Sequence, residues 1–248
     1  MREKNSRLLI EECEETLEQI KNKFDEAFQD PSIKEITIPK VKSFLEHCRS
    51  ILEYIAKDIF EMVIPIEQRT RKLNSKGKDK EVYFPYGKYR KIFKSSVSKN
   101  LPGLKNSDPV IYNLLESIQD YQKESDNVFL TYMCKLTNDN KHDDLTENER
   151  KSNLYTNVGN IARVAQGGQI TFNNCSFDGV PSGNFSIRNG KIEGNINPAL
   201  LNQVFNYEEG HFVFKDTKKD VLIFLRLVLD EITNFVNDIY DTLRTKYI

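Results

Sequence analysis

Residues 136–145, LTNDNKHDDL, concentrate polar side chains that can carry acid–base chemistry. His142 is one of only three histidines in the chain, and it follows Lys141 directly and Asn138 by four residues. General acid–base catalysis needs a side chain that can take or give a proton near neutral pH, and nearby polar or cationic groups can orient the reacting atoms. An imidazole titrates near neutral pH and can take either proton-transfer role. These residue types therefore fit an acid–base site, with His142 as the proton-transfer residue and Asn138 and Lys141 as its polar neighbours.

The same stretch also fits a polar corner at which a helix ends. A helix that stops near Thr137 would leave the two asparagines as turn residues, and Lys141 would lie where a cation favours the helix dipole. The aspartates around His142 repel a phosphate and would hold the imidazole in its protonated form. Both interpretations stay open from the sequence.

A basic, aromatic segment lies upstream, at residues 69–105. It contains twelve lysines and arginines against two acids, Asp79 and Glu81, with loop composition in its first part. Basic side chains release counterions from nucleic-acid phosphates, and tyrosine rings stack on bases. We interpret the segment as a long connection, and the alternative to a nucleic-acid role is a solvated loop anchored by its aromatics. The candidate nucleic-acid-binding residues are Tyr86, Lys88, Tyr89, Arg90, Lys91 and Lys94.

The remaining composition excludes several classes of site. Lys plus Arg (36) nearly balance Asp plus Glu (37), so the net charge of −1 points to no partner. The four cysteines are far apart, which disfavours a zinc site and indicates a reducing, cytoplasmic environment. No phosphate-binding glycine loop or dinucleotide motif is present, and no window has the apolar length of a membrane span, so we expect no metal, no cofactor and no membrane contact.

Helical periodicity dominates both ends of the chain. Apolar residues recur at steps of three and four over 41–63 and again over 221–243. On the first of these helices Arg49, Glu53, Lys57 and Glu61 step by four, which is typical of a solvated, ion-paired face. Between the helical parts, short alternating runs and the pair Asn189–Gly190 predict antiparallel strands and a hairpin.

The predicted fold is therefore mainly α. We expect a helical bundle over 1–154 with the basic aromatic loop at 69–105. A small antiparallel β insertion follows at 155–215. A C-terminal helix at 216–248 returns to complete the bundle.

Three segments, HCRSILEYIAKDI (47–59), VYFPYG (82–87) and LTNDNKH (136–142), resemble the HEPN superfamily of helical bundles, the higher eukaryote and prokaryote nucleotide-binding domains. Many HEPN proteins are metal-independent endoribonucleases of toxin–antitoxin and phage-defence systems, and their active motif pairs an arginine, often followed by asparagine, with a histidine a few residues later. Asn138 and His142 match this motif, whereas Thr137 stands at the arginine position. The resemblance implies cleavage of RNA through its 2′-hydroxyl, which requires a base, an acid and a cation that offsets phosphate charge. His142 would then be the base or the acid, Asn138 would orient the phosphate or the sugar, and Lys135, Lys141 or Arg49 would supply the cation.

The resemblance implies a HEPN-like bundle that binds or cleaves RNA, as a homodimer or higher oligomer and in an antiviral defence role. The substituted arginine position leaves a second hypothesis open. In that hypothesis the protein is a non-catalytic module that oligomerises or binds a protein partner.

Overall fold

A computed structural model describes residues 1–30, 32–69, 81–142, 147–158, 162–165, 167–177, 179–189, 191–201 and 204–248. Within these ranges the side chains of 28–29, 126, 139–142, 152–154, 201 and 204–209 lie outside the description. The chain forms two compact units. The first comprises residues 1–23, 35–148 and 214–248, and the second comprises 24–34 and 149–213.

The first unit is built from helices. Short 3₁₀ turns join several of them, at Ile66–Gln68, Asp120–Gln122 and Ser125–Asn127. The helices of the whole described chain are α1 (Glu3–Gln29), α2 (Ile38–Met62), α3 (Arg90–Asn100), α4 (Leu104–Ser107), α5 (Pro109–Ser117), α6 (Leu130–His142), α7 (Pro198–Leu201) and α8 (Val221–Tyr247).

Helix α2 lies at the centre of this unit, as its broad apolar face predicts. It packs against both α6 and α8. Phe44, Ile51, Ile55 and Ile59 on α2 are fully buried. Burial of each such side chain contributes about 1.5–3 kcal/mol, so this one helix supplies much of the core.

Helix α3 corrects the prediction that residues 69–105 form a loop. Residues 90–100 are helical, because Phe93 and Val97 repeat at a step of four and, with Leu101 and Leu104 just beyond, form one buried stripe. The other faces of α3 carry lysines and serines, so the composition of the segment did not indicate a helix. Residues 81–89 are a non-helical connection, as expected, and residues 70–80 lie outside the described residues.

Helix α6 runs through Asn138 to His142, so it does not end near Thr137 as the polar-corner interpretation required. Its N-terminus is capped from a distance. The buried Asp120 carboxylate accepts hydrogen bonds from the backbone N–H groups of Phe129 at 3.0 Å, Leu130 at 2.9 Å and Thr131 at 2.8 Å. This satisfies three of the N–H groups that a helix start leaves without intrahelical partners.

Aspartate side chains also cap the first turns of α5 and α8. Asp108 caps α5 through the N–H groups of Val110 and Ile111. The C-terminal helix is capped by Asp220, which accepts from the N–H of Ile223, so α8 begins at Val221 and not at the predicted residue 216.

The second unit contains strands in two small sheets. The predicted single insertion sheet is therefore two sheets, with strand orders β2-β1-β6 and β3-β4-β5. The strands are β1 (Asn148–Val158), β2 (Ala162–Ala165), β3 (Gln169–Phe177), β4 (Val180–Arg188), β5 (Lys191–Ile196) and β6 (Val204–Phe214).

The strand pairing shows which signals were sufficient. Arg188 pairs with Lys191, so the hairpin predicted from Asn189–Gly190 is confirmed, and the φ of Asn189 is 49°, as a tight hairpin turn favours. Gly190 itself lies outside the described residues. Strand β1 begins at Asn148, before the predicted residue 155. The prediction missed this start because the polar sequence of β1 has no alternating pattern. Apolar residues from both sheets form the core of this unit: Val158, Val164, Phe172, Phe185 and Ile187.

None of the helices in the described ranges has an apolar stretch sufficient to cross a lipid bilayer.

Candidate nucleic-acid interface

A groove runs along the exposed side of α3. It has a volume of about 750 Å³. Lys91, Ser95 and Lys99 step by four along α3, so they share the helix face that looks into this groove. We call it the α3 groove, and its principal lining residues are Tyr86, Lys88, Lys91, Ile92, Ser95 and Lys99.

The α3 groove carries uncompensated positive charge. Lys88, Lys91 and Lys99 are exposed, and within the described part of the chain none of them forms an ion pair with a carboxylate. No acidic residue lines the groove among the described residues. Such a row of free ammonium groups favours a polyanion, because each contact releases counterions.

Tyr86 lines the groove, and two other side chains hold its ring in place. The Arg49 guanidinium lies 4.9 Å from the ring centroid, and the Asn138 side chain donates to the Tyr86 hydroxyl at 3.4 Å. Cation–π contact fixes one face of the ring, and the hydrogen bond fixes its tip. Arg49 and Asn138, which were predicted as catalytic residues, therefore lie next to Tyr86, which was predicted to bind nucleic acid. They come from α2, α6 and the connection before α3.

Glu53 holds Arg49 in this position. Its carboxylate pairs with the Arg49 guanidinium at 2.7 Å and accepts the backbone N–H of Phe84 at 2.7 Å. The Arg49 and Glu53 side chains are only 12% and 19% exposed. Burial raises the pKa of the Glu53 carboxyl above its usual range, although the Arg49 charge and the Phe84 N–H both act to lower it.

Sequence reasoning missed this role of Glu53. The four-residue spacing of Arg49 and Glu53 indicated a solvated pair, whereas the pair is largely covered. The contact between Glu53 and the Phe84 N–H connects this pair to the groove. The two residues are thirty-one positions apart, so no helical spacing in the sequence could predict the contact.

Unlike the ammonium groups of the groove lysines, the Arg49 guanidinium is already occupied by contacts within the protein. Besides Glu53 and Tyr86, it also donates to the Cys134 sulfur. Burial raises the pKa of the Cys134 thiol to about 12, so the thiol is neutral at physiological pH. The charge of Arg49 is therefore already balanced by Glu53 within the protein.

The other candidate nucleic-acid residues divide into separate surroundings. Tyr89 is 58% exposed, and the Lys88 ammonium lies 5.6 Å from its ring centroid. Arg90 pairs with Glu116 at 2.7 Å. Lys94 lies in a different cavity, beside Lys105.

Two predicted catalytic residues fall only partly within the described structure. Helix α6 continues through Lys141 and His142, which places His142 about one helical turn after Asn138. The side chains of Lys141 and His142 lie outside the described residues.

Comparisons with family models, curated proteins and solved structures find no match to this chain. The resemblance to the HEPN superfamily therefore rests on the three sequence segments alone. Among the described residues, no group of three or more His, Cys, Asp or Glu side chains is arranged to hold a metal ion.

Proposed function

We propose that this protein binds RNA along the α3 groove. The observation that carries the proposal is the row of Lys88, Lys91 and Lys99, without carboxylate partners among the described residues, beside the fixed ring of Tyr86. The lysines supply the electrostatic part of binding. The ring offers a stacking surface whose orientation is set before the ligand arrives, which lowers the entropic cost of binding.

The experiment compares two triple variants of equal charge. One replaces Lys88, Lys91 and Lys99 by Gln, and the control replaces the exposed residues Lys4, Lys151 and Lys191 by Gln. We expect the groove variant to bind a short fluorescein-labelled RNA at least about tenfold more weakly, as measured by fluorescence anisotropy. The control should stay near the wild-type affinity.

Equal losses in the two variants would show that binding follows total charge and not the groove. Absence of RNA binding by the wild-type protein would remove the proposal. Thermal unfolding of all three proteins checks that the substitutions leave the fold intact.

Metal-independent cleavage of the bound RNA is a further prediction, and it rests on the HEPN resemblance. Because Arg49 is balanced by Glu53, the groove lysines are the better source of charge for a phosphate. RNA incubated with protein and chelator should be cut by the wild type and not by His142→Ala. Cleavage that persists in the variant contradicts a role for His142 as acid or base.

The alternative function, a non-catalytic module that oligomerises or binds a protein partner, is favoured by one observation. Arg49, which contacts the same Tyr86 side chain as Asn138, is already paired with Glu53. A stable complex with RNA and no cleavage would support binding without catalysis. The antiviral defence role and the dimeric state stay predictions.

A further inference from the structure

A second cavity lies on the opposite side of α3, between this helix and the α4 turn. Its volume is about 290 Å³. The floor is mainly apolar, since Val97, Leu101, Leu104 and Tyr112 line it and are almost fully buried. The buried Tyr112 hydroxyl has no hydrogen-bond partner among the described residues. The rim is polar and carries Lys94, Ser98, Lys105 and Asn106.

The charge at this rim is of one sign. Lys94 and Lys105 are exposed and come from different helices, and within the described ranges neither pairs with a carboxylate. The Lys105 ammonium lies 5.6 Å from the ring centroid of Tyr112, so it sits over the floor instead of extending away. No acidic residue belongs to the described lining.

The backbone gives this cavity its shape. Gly103 links α3 to α4 with a φ of 76°, in the left-handed region that side chains other than glycine adopt at a cost. The reversal of the chain at Gly103 brings Lys105 to the same cavity as Lys94. The turn at Gly103, and not a shared helix face, therefore brings the two ammonium groups to one cavity.

We propose that this cavity binds a small organic anion, with the apolar body on the Val97, Leu101 and Tyr112 floor and the carboxylate or phosphate between Lys94 and Lys105. Pockets for small ligands are mostly apolar with a few polar groups that fix orientation, and their volumes begin at about 300 Å³. The site is separate from the α3 groove and does not depend on RNA binding.

Four probes separate the contributions of the head group and the body. Phenyl phosphate and benzoate carry both parts, inorganic phosphate carries only the charge, and benzyl alcohol carries only the ring. Binding is followed by NMR as saturable shifts of the backbone amides of Val97, Leu101 and Lys105. We expect phenyl phosphate, benzoate or both to saturate these shifts, and inorganic phosphate and benzyl alcohol to bind at least about tenfold more weakly.

The matched variants exchange two lysines on each side of α3. Lys94→Gln with Lys105→Gln should weaken the anionic probe at least about tenfold, whereas Lys91→Gln with Lys99→Gln should leave its affinity unchanged. Preference for phenyl phosphate or for benzoate identifies the head group. Saturation by neither anion, equal binding of benzyl alcohol, or equal losses in the two variants would overturn the proposal.

Discussion

At the scale of single residues, Tyr86 shows how a buried ion pair can serve a surface groove. Glu53 pairs with Arg49, and the Arg49 guanidinium contacts the ring of Tyr86. The same Glu53 carboxylate binds the N–H of Phe84, two residues before the ring. One carboxylate therefore fixes both the backbone and the side-chain environment of the groove wall.

Removal of Glu53 tests this arrangement. Glu53→Ala leaves the Arg49 charge and the Phe84 N–H without their acceptor in a largely covered site. We expect the free energy of unfolding to fall by about 2–3 kcal/mol, as measured by urea denaturation. Because the Tyr86 ring also loses its support, RNA affinity should fall several-fold under conditions in which the variant is folded.

The control for this prediction is Glu14→Ala, which removes an exposed glutamate of α1. A surface change of that kind should alter stability by no more than about 0.5 kcal/mol. If Glu53→Ala behaves like this control, the pair with Arg49 contributes little and the ring is held by other contacts.

At the scale of secondary-structure elements, α6 depends on a cap that its own sequence does not contain. The Asp120 carboxylate accepts three N–H groups at the start of the helix, from nine to eleven positions upstream. Because α6 carries Asn138, and its backbone extends to His142, the cap also fixes the element that presents the candidate catalytic residues.

Asp120→Asn keeps the shape of this side chain but turns one acceptor oxygen into a donor group that faces an N–H. We expect a loss of about 2 kcal/mol in the free energy of unfolding. Circular dichroism during urea denaturation measures it. Asp230→Asn, on the exposed side of α8, is the control, and a loss no larger than in that variant would contradict the capping role.

The elements also show which parts of the fold the sequence could reveal. Helix α2 and the hairpin at Asn189–Gly190 were predicted because one carries a broad apolar stripe and the other a strong turn signal. Helix α3 was not, since Phe93 and Val97 are its only buried residues among eleven. Strand β1 was missed because its pairing in the β2-β1-β6 sheet outweighs a polar local sequence.

The candidate site followed the same division. The residue types of the α3 groove were visible in the sequence, and so were Arg49 and Asn138. Their convergence on Tyr86 was not, because it depends on how α2 and α6 pack around the segment before α3. Lys94 and Lys91 line different cavities, and this could be predicted only if residues 90–100 were known to be helical.

At the scale of the whole molecule, the balance of charge limits what electrostatics can do. The net charge is −1, so the protein as a whole does not attract a polyanion. Any attraction must come from local clusters such as the α3 groove, and it is screened beyond about 8–10 Å at physiological ionic strength. RNA binding should therefore depend on a few lysines and be sensitive to salt.

The salt dependence of RNA affinity tests this account most directly. For single strands, the logarithm of the affinity falls against the logarithm of salt concentration with a slope of about −0.7 per neutralised phosphate. Replacement of Lys88, Lys91 and Lys99 by Gln should make this slope shallower by about 2. The variant with Gln at positions 4, 151 and 191 should keep the wild-type slope. A groove variant whose affinity and slope both equal those of the wild type would contradict RNA binding along α3.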